Sequence, residues 1–458
     1  MTYLIESCRV APPPGRVADR SLPLTFFDIV WLHFHPIRRL FFYELPCSKP
    51  YFTDTLVPKL KHSLSQTLEH YFPLAGNLLY PLDTDKKPII RYVSGDSVPL
   101  TIFESNDDFD VLVGNQARDA DVFYGYIPQP PPIITDDESS NHKLEVFAIQ
   151  ITFFPGRGIC IGLANHHVVG DASSILGFIR AWASTCKLGG DDDDKSLPVF
   201  DRDLLKDPLG LSSIYWNGNK NIPLKLSSFP LPTKRVRATY VLDQSDIKKL
   251  KDSVIAKFPD FVHPSSFVMA AAYVWSCLVK SLMAYEEGED KIEVDDDEME
   301  YFLFAADGRA RIDPSLPENY FGNCLFPGLV NVRHEELVGD NGFFVAAKTI
   351  GEEIRNNVNN KEKVMNGLDE NTMAKLGSLA QKRMFSVSGS ARVDLYGGAD
   401  FGWGKASKME TLSIDGERYS MSLCKERDCE GGLEVGLSLS KVKMDAFAAL
   451  FADGKKRF

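Results

Sequence analysis

The chain has 458 residues, 44% of them hydrophobic and 25% charged, and a formal net charge of −12. That length exceeds what one hydrophobic core usually organises, so two domains are expected, and the composition is that of an ordinary globular protein. The acidic balance argues against a nucleic-acid partner, which would favour a basic face.

The acid is clustered, in Asp191 to Asp194 and in much of Glu286 to Glu300. Neither run alternates ligands around a central glycine, so both read as solvated loops rather than calcium sites. Eight cysteines are scattered with no C-x-x-C pair, several of them in apolar runs. They fit free thiols in a reducing, cytoplasmic setting. The opening MTYLIESCRV has no basic region followed by an apolar core, so no secretory signal is expected. The longest apolar run, Phe267 to Val279, is too short to cross a bilayer and predicts a buried helix.

Residues 1 to 50 alternate apolar segments with prolines and predict strands and loops wrapped on a core. Leu56, Leu60, Leu64 and Leu68 form a stripe at helical spacing, with Pro58 near the start, where a missing N–H costs least. Tyr71-Phe72-Pro73 ends that helix, and residues 89 to 103 predict strands. After the stiff Pro128 to Pro132 connector, Leu144 to Phe153 and Ile159 to Asn165 flank a Gly-containing turn and predict a hairpin.

That hairpin delivers HHVVGD, residues 166 to 171, to the start of an amphipathic run carrying Ile175, Phe178, Ile179 and Trp182. Polar side chains at such a strand-to-helix junction are held rigidly by the scaffold on both sides. An imidazole of ordinary pKa ~6.5 takes a proton near neutral pH, so His167 is a candidate general base. Asp171, four residues on, is placed to orient that histidine or to anchor the turn. A pair of structural histidines is the alternative on these six residues alone.

From Gly189 to about Lys234 the chain is polar and Pro-rich, the best candidate linker. The second half opens with a strand at Arg237 to Leu242 and a helix carrying Ile247, Leu250 and Val254, capped by Ser245 or Asp246. Ser265 or Ser266 caps the buried helix through Lys280. A strand at Tyr301 to Ala306, a helix over Asn341 to Val358 and three strands within Thr411 to Leu439 follow. The expectation is an α/β protein of two similar-sized domains of mixed sheet and helices: 1–188 carrying HxxxD, a 189–235 crossover, and 236–458.

Two more stretches point to a family. Asp400-Phe401-Gly402-Trp403-Gly404 sets an indole between two glycines, and Tyr320-Phe321-Gly322-Asn323-Cys324 follows a Pro-rich turn. HxxxD at mid-chain with DFGWG near the C-terminus resembles the plant BAHD acyltransferases, which move acyl groups from coenzyme A thioesters to alcohols or amines. YFGNC further resembles the clade acting on anthocyanins and other flavonoid or phenolic glucosides, and Asn165 to Asp171 resembles its malonyl-transferring members more than its hydroxycinnamoyl-transferring ones. The resemblance runs from the LPLTFFD opening at Leu22 to Asp28 through to the Phe447 to Phe458 tail. Rival readings lack their parts: no glycine-rich nucleotide loop or H-R-D precedes DFG, no G-x-S-x-G elbow exists, and no H-E-x-x-H zinc signature occurs. A non-catalytic binding protein of the same fold is the remaining alternative.

The resemblance implies His167 as base, with Asp171 paired to Arg309 of the second domain and fixing the His167 loop. It adds Asp400 as a residue required in relatives, with an architectural role expected, and sets the DFGWG motif in the second domain. It implies CoA contacts near Lys249 and Lys251 and near His263, Ser265 and Ser266, with no metal and no bound cofactor. The implied partners are an acyl-CoA, most simply malonyl-CoA, and a phenolic glucoside, met by a cytoplasmic monomer that binds neither nucleic acid nor membrane. A hydroxycinnamoyl donor is the runner-up. A buried malonyl carboxylate requires a cation, and Arg180, Arg38 and Arg39 are candidates.

Overall fold

The two β-rich runs around the Pro155 to Gly158 turn form an antiparallel hairpin, Phe147–Phe154 with Gly158–Asn165, buried at every residue. The structure is a computed structural model describing residues 2–458 apart from 130–131, 137–139, 190–196, 226–232, 262–263, 285–294, 296, 380–381, 393 and 417–418, and apart from the side chains of 366, 370 and 373. The Asp191 to Asp194 run, most of the second acidic run and His263 therefore lie outside the described residues.

The hairpin is central to a six-stranded sheet ordered Thr2–Val10, Val98–Ser105, Phe147–Phe154, Gly158–Asn165, Ile37–Glu44 and Lys408–Thr411. The helices Val57–His70 and Ala172–Leu188 pack against each other over one apolar core with it. The leucine stripe works as its spacing predicts: Leu60, Leu64 and Leu68 are all fully buried. Pro58 sits in the first turn of that helix.

A seven-stranded sheet runs Leu325–Arg333, Met299–Asp307, Met384–Gly389, Ser420–Lys425, Leu433–Leu439, Val236–Leu242 and Arg118–Asp119. The helix Ser266–Ser281 is buried at thirteen positions within the second core. A third, five-stranded sheet is built wholly from the first 145 residues. The helix Gln244–Lys257 is capped by Asp243, not by Ser245 or Asp246. The strand before it ends at Leu242, so the turn comes early and Asp246 instead completes a capping box back to the Asp243 N–H.

Each lobe lends the other an edge strand. Lys408–Thr411 pairs with Ile37–Glu44 in the first sheet, and Arg118–Asp119 pairs with Val236–Leu242 in the second. At this crossing Glu410 takes Arg118 at 2.7 Å and Arg237 at 3.2 Å, and Arg237 also takes Asp415 at 2.6 Å. Burial alone would raise the Glu410 pKa, but Arg118, Arg237 and Lys408 bring it down to about 2, so the cluster stays ionised.

Candidate active site

The chain leaves the Gly158–Asn165 strand, makes one tight turn at His167–Val169 and enters the Ala172–Leu188 helix. The two histidines part there. His166 is 5% exposed, and its Nδ1 accepts the Val168 N–H at 3.3 Å, which closes the turn. His167 faces a channel of about 1500 Å³ between the two cores, whose walls include Trp31, Arg39, Ser265, Phe304 and Arg311. The Trp31 ring stacks on the His167 imidazole at 3.9 Å and 9°, and Phe34 meets it edge-on.

The tautomer of His167 follows from its neighbours. Asn323 gives its Nδ2 hydrogens to Asp28 Oδ1 at 2.9 Å and to the His167 carbonyl at 2.9 Å. Its Oδ1 therefore turns to His167 Nδ1, 3.1 Å away, and can only accept. Nδ1 carries the hydrogen, and Nε2 keeps the lone pair. Asp28 is fully buried and also accepts from Thr25, so the orienting amide is itself fixed. Gly322 has φ +149°, and a Cβ there would lie 2.3 Å from Arg202 Nη1, which explains the glycine in YFGNC. Arg202, from the crossover segment, donates to the Phe321 carbonyl at 2.5 Å and to the Tyr320 hydroxyl at 2.8 Å.

Burial lowers the His167 pKa to about 4, and the Arg39 charge adds to the effect. His166 is lowered to about 3 and His35 to about 4, both mainly by burial. His167 is thus neutral and ready to accept a proton at neutral pH. Initial rates of kcat/KM should stay within about twofold from pH 8 to pH 5, where an unperturbed histidine would have lost most of its base form. Stability should behave differently. Between about pH 6.5 and pH 4 the unfolded chain binds protons at these three histidines that the folded chain refuses, so stability falls as pH falls through that window. Stopped assays at short times against thermal melts at each pH separate the two effects.

Asp171 is turned away from this chemistry. Its oxygens take Arg309 Nη1 at 2.9 Å and Nη2 at 3.0 Å, the Cys324 N–H at 3.1 Å and the Ser174 N–H at 3.1 Å. Burial works against the Arg309 charge, yet the Asp171 carboxylate raises the guanidinium pKa above its ordinary value. The Asp171–Arg309 pair implied by the resemblance is present, and it joins the helix cap to the strand–turn of the other lobe.

Asp400 does not reach the channel lining. Its Oδ1 accepts the Gly402 and Gly404 N–H groups at 2.9 and 2.8 Å, and Lys187, in the last turn of the Ala172–Leu188 helix, meets Oδ2 at 2.7 Å. Gly402 and Gly404 have φ +106° and +94°, the left-handed region that lets both amides converge on one oxygen. The loop so formed stacks Trp403 on Phe401 and sets both edge-on to Tyr43 of the first sheet. Asp400→Ala should lower stability by about 1–2 kcal/mol through these charge-assisted bonds. A melting temperature equal to wild type with turnover lost would put Asp400 back among the reacting groups.

Of the expected CoA contacts, Ser265 and Ser266 line the channel, and Ser265 caps the Ser266–Ser281 helix by accepting the Val268 N–H at 3.2 Å. Lys249 and Lys251 do not line it; they sit on the Gln244–Lys257 helix, Lys249 exposed to solvent. Arg311 and Arg392 line it instead and lie close enough for their charges to interact. Sequence reasoning missed both, because an arginine in a loop carries no periodic signal. Among the described residues no group of three or more His, Cys, Asp or Glu side chains could hold a metal ion. No helix among them is long and apolar enough to cross a membrane.

A half-buried, neutral histidine on the channel between the two lobes of an α/β fold places a candidate base where two substrates can meet. The sequence pattern of the Transferase family matches residues 4–453, and the chain belongs to that family, the BAHD acyltransferases its motifs resemble. The malonyl-coenzyme:anthocyanin 5-O-glucoside-6'''-O-malonyltransferase of Salvia splendens is 51% identical over 98% of this chain and 95% of its own length. Phenolic glucoside malonyltransferase 1 of Nicotiana tabacum is 43% identical over 99% of both. The crystal structure of vinorine synthase superposes with a TM-score of 0.69 at 21% identity, covering 97% of this chain and 96% of that one, and shares the fold.

Proposed function

We propose that this enzyme transfers a malonyl group from malonyl-CoA to a sugar hydroxyl of an anthocyanin or other phenolic glucoside, with His167 as general base. The observation that carries the reading is the His167 lone pair, fixed at Nε2 by Asn323 and held on the channel between the lobes. The acceptor hydroxyl oxygen attacks the thioester carbon as Nε2 takes its proton. The tetrahedral intermediate then breaks its C–S bond, and the leaving sulfur takes that proton back from the imidazolium. A thiol of pKa ~8.5 leaves readily, so a covalent acyl-enzyme is unnecessary. Asp171 and Asp400 support this geometry from outside the reacting atoms.

The CoA phosphates fit the second-lobe mouth, where the capped N-terminus of Ser266–Ser281 offers free N–H groups and Arg311 and Arg392 supply positive charge. All eight cysteines are free, which fits a reducing cytosol. Two relatives named as malonyltransferases of glucosides support the donor and the acceptor class. The test is a panel of anthocyanin, flavonol and simple phenolic glucosides with malonyl-CoA, acetyl-CoA and p-coumaroyl-CoA, read by mass spectrometry. Malonyl esters are the expected products. A preference for p-coumaroyl-CoA in kcat/KM would leave the acyltransferase and remove the malonyl donor.

A further inference from the structure

Transfer of a malonyl group carries a free carboxylate into the channel, and a buried carboxylate needs a cation beside it. Its position is narrowly bounded. The carboxylate carbon lies one methylene from the thioester carbonyl, about 2.5 Å between carbons. The carbonyl in turn sits about 3–3.5 Å from an acceptor oxygen that is hydrogen-bonded to His167. The cation must therefore reach the immediate surroundings of His167.

Three arginines qualify by sequence, and the fold separates them. In the Ile37–Glu44 strand alternate residues face opposite sides, and Ile37 and Arg39 line the channel. Arg38 points through the sheet, where Tyr124 and Asp415 act on its charge. Arg180 also lines the channel, but it lies nine residues, or about 14 Å of helix, beyond Asp171. Its side chain crosses Gly398, where an added Cβ would sit 2.7 Å from Nε, and its charge falls on Tyr71. Arg39 alone of the three acts on His167.

Arg39 is also short of an anion. Its Nη1 meets Asn165 Oδ1, a neutral acceptor, at 3.4 Å, and no described carboxylate makes an ion pair with it. Its strand neighbours are Leu163 and Thr411, neither of which is charged. Burial in that setting brings its pKa to about 10, still far above neutral, so it is a desolvated cation without a counter-charge. From this geometry we infer that Arg39 binds the free carboxylate of the malonyl donor and sets donor specificity. The inference rests on the malonyl reading given above.

The carboxylate bears the same charge in substrate and transition state, so the contact is uniform binding and belongs in KM. Arg39→Gln should raise KM for malonyl-CoA about 30-fold or more with kcat within a few-fold. With acetyl-CoA on the same acceptor glucoside, kcat/KM should fall less than about fivefold. Arg39→Lys keeps a charge in the strand but loses the planar fork, and should give an intermediate KM for malonyl-CoA even if the glutamine variant fails to fold. An equal loss with both donors, or a loss in kcat, would make Arg39 an oxyanion donor or a structural residue and overturn the inference. An unchanged malonyl-CoA KM would overturn it as well. If wild-type enzyme does not use malonyl-CoA, the proposed function fails and takes this inference with it. If wild type uses it and the variants are indifferent, only this inference fails.

Discussion

Replacing His167 with alanine should cost about 10²–10⁴-fold in kcat, the usual contribution of a positioned base, with little change in melting temperature or in CoA binding. The reason for the small structural cost is visible around the ring. Its contacts are a stack with Trp31, an edge from Phe34 and one bond to Asn323, and none of them closes a turn. His166→Ala should do the opposite. That side chain is buried and accepts the Val168 N–H, so its loss should cost about 0.5–2 kcal/mol, as for other caps, with a smaller effect on turnover. Steady-state rates and thermal melts of the two variants side by side check the division. Equal, near-complete losses of activity at unchanged stability would show that both imidazoles take part in the reaction.

Asp171→Ala should be strongly destabilising, by about 3 kcal/mol, because it removes the bidentate carboxylate from the buried Arg309 guanidinium and leaves it only the more exposed Asp307 at 3.1 Å. It also strips an acceptor from the Ser174 and Cys324 N–H groups, so the helix cap and the YFGNC turn loosen together. Turnover should fall with stability, since Asn323 rides on that turn and orients His167. The double variant Asp171→Leu/Arg309→Leu removes both charges and should be less destabilised than the sum of its single changes. Denaturant melts of the four-member cycle give the coupling directly. An Asp171→Ala enzyme that melted like wild type yet failed to turn over would move the aspartate into the proton path.

The readable parts of this molecule are those written in local pattern. The leucines at 56, 60, 64 and 68 specify a helix face, and the alternating runs around Pro155 to Gly158 specify a hairpin. The His167 junction follows directly from those two elements. The orienting shell was not readable in the same way. Asn323 reaches His167 across 156 residues and Asp28 across 295, and no spacing rule connects positions so far apart. YFGNC was visible as a motif, but only the folded chain turns its asparagine toward the imidazole. Helical phase says which side of Gln244–Lys257 is polar, not which surface that side faces, and neither Lys249 nor Lys251 is among the residues lining the channel.

The borrowed strand ties the folding of this enzyme to its synthesis. Ile37–Glu44 is made early, but its neighbour Lys408–Thr411 emerges about 360 residues later. At the ~5–20 residues per second of translation, that edge waits roughly 20–70 s for its partner. The waiting edge is rich in Leu40, Phe41, Phe42 and Tyr43, all fully or nearly fully buried once the strand arrives. Backbone groups left unpaired along an apolar strand are a template for another chain. The first lobe, though its core is nearly all translated by then, stays unfinished on the ribosome until the second is almost complete.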